Sequence, residues 1–199
     1  MKREERRAAA REGILAAAHR QVAEGGCASA SVAAVAARAG VAAGSLYRHF
    51  PSRAELLAEV VGDALHGEHA LLSRAGAGLP PRDALVAWVR TAVERALLAP
   101  DLAHALLAEP AEAAVEAVRL RERTAQEASL RALLEAGAGS GAWPRADTAT
   151  QAAAIAGALQ AALVGPAAVS RLGARPDTRA AAETLVGFVL AAVSAPTQA

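Results

Sequence analysis

The sequence predicts an all-α chain, and three observations carry that expectation. Apolar residues make up 54% of the 199 positions and aromatic residues only 3%, with alanine supplying more than half of the apolar count, so the chain is built largely from the strongest helix former. Apolar positions recur at helical spacing in segment after segment. Between those segments lie glycine and proline clusters that end helices.

The clearest segment runs from Ser31 to Leu57. Val32, Val35, Ala36 and Ala39 fall at i, i+3, i+4 and i+7 on one face of a short helix, with Ala33, Ala34 and Arg38 on the other. Ser31 is placed to cap it, and Gly40 supplies the left-handed residue that closes a helix without a Cβ clash. Val41 and Leu46 give the next segment its own inward face. Pro51 biases Phe50 away from helical geometry, so this second helix is expected to end near His49 or Phe50. Ser52 with Glu55 makes a capping box in front of Leu56, Leu57, Val60 and Val61. Two short helices joined by so tight a turn must cross steeply, and the pattern reads as a helix-turn-helix that grips DNA.

The third helix keeps its period until Ala75-Gly76-Ala77-Gly78, where Leu79-Pro80-Pro81 marks a loop. Further helices are expected from about Arg82 to Leu98, Asp101 to Ala108, Ala111 to Ala136, Asp147 to Val169 and Asp177 to Val193, the last two capped by Asp147 and Asp177. Gly137 to Gly141 with Pro144, and Gly173 to Pro176, separate the last three.

The charge is unevenly placed. Residues 1–53 carry nine Lys and Arg against four acids, a net +5, which leaves −4 on the remainder of a chain whose total is +1. A basic head with an acidic body suits a phosphate backbone, because the duplex attracts one and repels the other. With Val41, Leu46 and Phe50 facing inward, Ala42, Ala43, Gly44, Ser45 and Arg48 present toward a major groove. Arg48 is the one long donor among them and is placed to read guanine, while the alanine methyls suit thymine methyls. So sparse a reader leans on DNA shape.

The segment resembles the TetR/AcrR family of one-component transcriptional regulators. The matching residues are Ile14, Leu15 and Ala18, then Gly26, Ser31-Val32, Val35-Ala36, Ala39-Gly40-Val41, Gly44-Ser45-Leu46-Tyr47, His49-Phe50 and Ser52 with Glu55-Leu56. The resemblance covers roughly the first third of the chain and implies a three-helix DNA-binding head, residues 1–53, and a helical effector-binding and dimerisation body, residues 54–199. It implies phosphate contacts for Tyr47, His49 and Arg53, joined by Ser31 at a helix N-terminus. The chain departs from the family pattern at Val22 and Cys27, where an aromatic pair is usual, and at Ala42-Ala43, where a Ser-Lys pair commonly opens the recognition helix. Lys2, Arg3, Arg6 and Arg7 form either an arm into the minor groove or a disordered tail.

The last two helices are apolar nearly all round, from Ala152 to Leu163 and from Leu185 to Leu190, and burial within one monomer or a two-fold four-helix interface would cover them. The family resemblance favours the homodimer. Trp88, His104 and Gln160 are candidate effector contacts, and the abundance of small side chains suggests a roomy cavity for a hydrophobic or amphipathic molecule. Arg119, Arg121 and Arg123 read as a solvated or salt-bridged face.

Enzyme chemistry has no support: no phosphate loop, dinucleotide fingerprint or Gly-x-Ser-x-Gly is present, and the lone Cys27 lacks a histidine partner. Asp63, His66 and His69 drift in helical phase and read as surface, so neither metal nor cofactor is expected. The charged start, Lys2 to Arg7, is unlike a signal peptide, which makes the expected location cytoplasmic. The expected function is a ligand-responsive repressor that binds a palindromic operator as a dimer. The competing reading is a helical interaction module without sequence-specific DNA binding.

Overall fold

The computed structural model describes residues 2–171 and 177–195, which form nine helices and no strand. α1 (Lys2–Ser29), α2 (Val32–Ala39) and α3 (Ala43–Leu46) make the head. α4 (Arg53–Ala75) leaves it for a body of α5 (Pro81–Leu98), α6 (Pro100–Leu107), α7 (Ala113–Ser140), α8 (Thr148–Arg171) and α9 (Thr178–Ser194). No helix among the described residues is long and apolar enough to cross a membrane.

The helix starts obey local chemistry. Ser31 Oγ accepts from Ala34 N, Ser52 Oγ from Glu55 N, and Asp177 Oδ1 from Ala180 N, all at 3.0–3.1 Å. Asp147 Oδ1 accepts from the amides of both Ala149 and Thr150. Gly40 closes α2 at φ 68°, and the Val41 amide reaches back to Ala36 O at 3.0 Å.

Two apolar clusters hold the chain. Ile14, Val22, Val35, Leu46 and Phe50 form the head core, which continues through Leu56, Leu57, Val60 and Val61 of α4 into Ala105 and Leu106 of α6 and Val115 of α7. The head core is therefore not closed at residue 53. The second cluster joins Leu85, Trp88 and Val89 of α5 to Leu130 and Leu134 of α7, Ile155 and Leu159 of α8, and Val189 and Val193 of α9.

Three expectations are corrected. The second helix of the helix-turn-helix ends at Leu46, and the chain turns on to Phe50 through short-range bonds such as His49 N to Leu46 O, because burying Phe50 draws the backbone inward before Pro51. The basic start is helical from Lys2: Glu4 and Glu5 in the first turn favour the helix dipole and Ala8 to Ala10 extend it, so Arg6 and Arg7 lie exposed on a helix. The side chains of Lys2 and Arg3, and the loop expected from Gly173 to Pro176, lie outside the described residues except as α1 backbone.

The third correction is α7, which runs past Ala136 to Ser140 and stops at Gly141 with φ 79°. Gly137 does not break the helix. It makes room for Trp143, whose Nε1 donates to Leu134 O at 2.9 Å, and a Cβ at Gly137 would stand 1.8 Å from the indole. Gly137→Ala is expected to destabilise the protein by about 1–3 kcal/mol through overpacking, read by urea denaturation. Gly139→Ala, whose Cβ meets nothing within 4 Å, should be neutral or mildly stabilising in the same assay.

Candidate nucleic-acid interface and effector cavity

The outer face of the helix-turn-helix is free of core duties. Val41, Leu46 and Phe50 turn inward as their phase predicts, while Ala42, Ala43, Gly44 and Arg48 are exposed and Ser45 half-buried. A Cβ at Gly44 would meet nothing within 4 Å, so no packing inside the protein demands glycine there. Arg48 Nη2 donates to Ser45 Oγ at 2.6 Å, one turn back, which aligns the guanidinium along the helix. Tyr47 is 53% exposed, hence not a core ring. His49 is half-buried and its Nδ1 has no partner among the described residues. Ser31 is exposed and caps α2 with its oxygen, which leaves the hydroxyl hydrogen to donate outward.

Arg38 and Arg11 are engaged locally. Arg38 forks onto Glu24 at 2.8 and 2.5 Å, and this pairing holds the Glu24 carboxyl below its usual range. Arg11 pairs with Glu59 and lies 4.8 Å over the Phe50 ring.

Arg53 has a different occupation from the phosphate contact that the family resemblance implies. Its Nε donates to Ala30 O at 3.1 Å, its Nη2 to Cys27 O at 2.5 Å, and its Nη1 pairs with Glu112. The reason is a break in α1: Gly26 sits at φ 77°, ψ 178°, which turns the following amides and carbonyls away from the helix ladder. Glu109, in the turn after α6, accepts from Cys27 N at 2.8 Å and Ala28 N at 2.7 Å. The φ of 77° favours glycine here, and a Cβ at Gly26 would come within 2.5 Å of Glu109 Oε2 and push it from its place.

Behind Glu109 stands Arg119. Its Nη1 donates to Glu109 O at 2.7 Å and to Glu116 Oε1 at 2.6 Å, and its Nη2 to Ala105 O at 2.5 Å. Its side chain is 11% exposed, against 68% for Arg121 and 50% for Arg123. Arg121 and Arg123 are solvated as expected, while Arg119 meets the salt-bridged alternative through Glu116 and is largely buried, one helical turn from buried Val115 on the same face. Cys27 is buried beside this network, and burial first, then the Glu109 charge, pushes its thiol up.

The body contains a cavity of about 270 Å³ between α4, α5, α6, α7 and α8. Leu65, Leu72, Leu102, Leu106, Leu107 and Leu163 give it apolar walls, and Glu68, His69, Arg95, Arg119 and Gln160 give it polar ones. Arg95 is tied to Glu68, and His69 Nε2 lies 2.9 Å from Ser129 Oγ; burial lowers the His69 pKa. Of the three candidate effector residues, Gln160 lines the cavity and reaches Leu107 O at 3.4 Å. Trp88 is 4% exposed in the second core and His104 lies on α6, both outside the wall. Trp88 follows the buried stripe of Leu85, Val89 and Val93, so its bulk fills the core instead of the cavity. Among the described residues no three His, Cys, Asp or Glu side chains gather as metal ligands.

The described residues thus form a helix-turn-helix head on a helical body that holds a cavity. Residues 14–60 match the sequence family described as bacterial regulatory proteins, tetR family. The whole chain has the same fold as FadR from Bacillus subtilis, solved in complex with stearoyl-CoA, at TM-score 0.76 and 16% identity over 92% of this chain and 98% of that one. A TetR-family regulator from Rhodococcus sp. is similar at TM-score 0.74 and 23% identity over 93% and 98% of the two chains. Reduced NemR from E. coli is similar at TM-score 0.75 and 18% identity over 94% and 100%. No curated protein matches the chain.

Arg53→Ala is expected to lower folding stability by about 1–3 kcal/mol, because it strips partners from two carbonyls and Glu112, whereas Arg48→Ala should leave stability unchanged. Urea denaturation of the two variants distinguishes them. Cys27 in the folded protein should react with a neutral-pH thiol reagent far more slowly than in urea, since its thiol is both buried and held protonated.

Proposed function

We propose that the protein is a ligand-responsive transcriptional repressor that binds a palindromic operator as a homodimer and leaves it when a small effector enters the body. The observation that carries the reading is the outward face of α3 and its flanking turns, where Ala42, Ala43, Gly44, Tyr47 and Arg48 are exposed on a fixed frame without serving the core. Arg48 with Ser45 supplies the hydrogen-bonding edge, and the small residues allow close approach to the groove floor. Ser31, Tyr47 and His49 are assigned to phosphates, with exposed Arg6, Arg7 and Arg20 adding field strength.

The outer surface of α8 and α9 supports a two-fold contact. Ala153, Gly157, Ala161 and Gly165 line one exposed side of α8, and Gly187, Phe188 and Ala191 one exposed side of α9. Phe188 is 50% exposed, and Cβ atoms at Gly157, Gly165 and Gly187 would meet open space, which suits close packing against a second copy. An effector with an apolar tail fits the leucine walls, and the stearoyl-CoA held by the similarly folded FadR supports that choice.

Fluorescence anisotropy on DNA flanking the protein's own gene, with excess unrelated duplex, tests the reading. Binding should survive the competitor. Arg48→Ala should lose tenfold or more in discrimination between operator and unrelated DNA, as one lost bidentate contact requires, and Gly44→Ala should weaken operator binding while preserving the fold. Unchanged selectivity in Arg48→Ala would remove α3 from the groove.

A further inference from the structure

We propose that Arg119 is the residue that senses the cavity's occupant: it binds the carboxylate of a single-chain amphiphile, and in doing so releases the α6–α7 corner that holds α1. The proposal rests on the preceding reading only in taking the cavity as an effector site.

Among the described residues, Arg119 is the one cation of the cavity wall with a buried donor left unpartnered. Arg95 is chelated by Glu68, and Arg123 is half exposed and lies 3.8 Å from Glu127. Arg119 is almost wholly enclosed, yet its Nε is buried with no partner among the described residues. A guanidinium presents its donors as a planar fork, and a carboxylate matches two of them at once. No protein acceptor among the described residues reaches Nε, so an incoming carboxylate makes a bond that the protein's own groups do not. Glu116 is the competing acid, but it is 53% exposed and is readily rehydrated when displaced. Leu102, Leu106, Leu107 and Leu163 line the same cavity and suit an unbranched hydrocarbon tail.

The same guanidinium carries the connection to the head. Its Nη atoms hold Ala105 O at the end of α6 and Glu109 O in the turn beyond it. The Glu109 carboxylate in turn caps Cys27 N and Ala28 N after the break in α1. A ligand that turns the Arg119 fork toward the cavity withdraws it from those carbonyls and frees the Glu109 turn. The liganded state therefore has a looser α1 end, which gives the ligand differential affinity for two conformations of the head.

The test uses the full-length protein with octanoate and octan-1-ol, which share a tail and differ in the anion. Calorimetry should show octanoate binding at least tenfold more tightly than the alcohol, and Arg119→Met should erase the difference. Hydrogen exchange at the Cys27 and Ala28 amides should accelerate with octanoate, and in Arg119→Met should be fast without it. Octanoyl-CoA, which offers a thioester in place of the acid, should bind no more tightly than octanoate. Equal affinity for acid and alcohol, octanoate binding unaffected by Arg119→Met, tighter binding of octanoyl-CoA, or octanoate binding with unchanged exchange at Cys27 and Ala28 would each overturn the proposal. If Arg119→Met does not fold, the wild-type comparison and its exchange profile decide. Operator binding measured without amphiphile is a separate readout, so failure of the DNA reading leaves this result standing.

Discussion

The break in α1 at Gly26 turns backbone groups out of the helix ladder, and side chains from beyond α1–α3 take them up. Glu109 takes the amides of Cys27 and Ala28, while Arg53, held by Glu112, takes the carbonyls of Cys27 and Ala30. Each buried polar group left unpaired costs about 1–3 kcal/mol, and rotating the head away from this geometry would unpair Cys27 N and Ala30 O. Apolar contact acts in the same sense, because Ala105 and Leu106 of α6 complete the head core. Hydrophobic burial fixes the distance between head and body, and the directional bonds fix the angle.

That angle matters because the outer face is chemically spare. If this face meets DNA as proposed, its alanines, its glycine and the single Arg48 leave little binding energy to correct a misplaced head. Specificity then depends on holding the frame still and on the shape of the duplex that it meets. A cavity whose wall includes Arg119, one bond from the Glu109 turn, lies where small displacements reach this frame first. A latch of hydrogen bonds has discrete made and unmade states, as a switch requires.

How much of this was legible in the sequence depended on the range of the interaction. Ser31, Gly40, Ser52, Asp147 and Asp177 act on neighbours within a turn, and their caps read correctly from local pattern alone. The inward set of Val41, Leu46 and Phe50 read correctly for the same reason. Gly137 was misread as a stop because its role is set by Trp143 folding back over it, which no propensity encodes. Glu109 reaches a segment 82 residues away, and Arg53 and Arg119 are partners in the same long-range joint, so composition and periodicity were silent about all three. The one available signal was Arg119 at i+4 from Val115, on the buried face of α7. In the body, the polar interruption at Gln160 falls on the cavity wall, whereas the conspicuous Trp88 serves packing.

In the proposed function the head is a DNA reader held by the body. The most direct test is the salt dependence of binding to duplex DNA, since each neutralised phosphate adds about −0.9 to the log–log slope. Contacts from Ser31, Tyr47 and His49 on two heads, with their basic surroundings, predict a steep negative slope of several units. A slope near zero, or no binding at low salt, would contradict the account and leave a helical interaction module in its place.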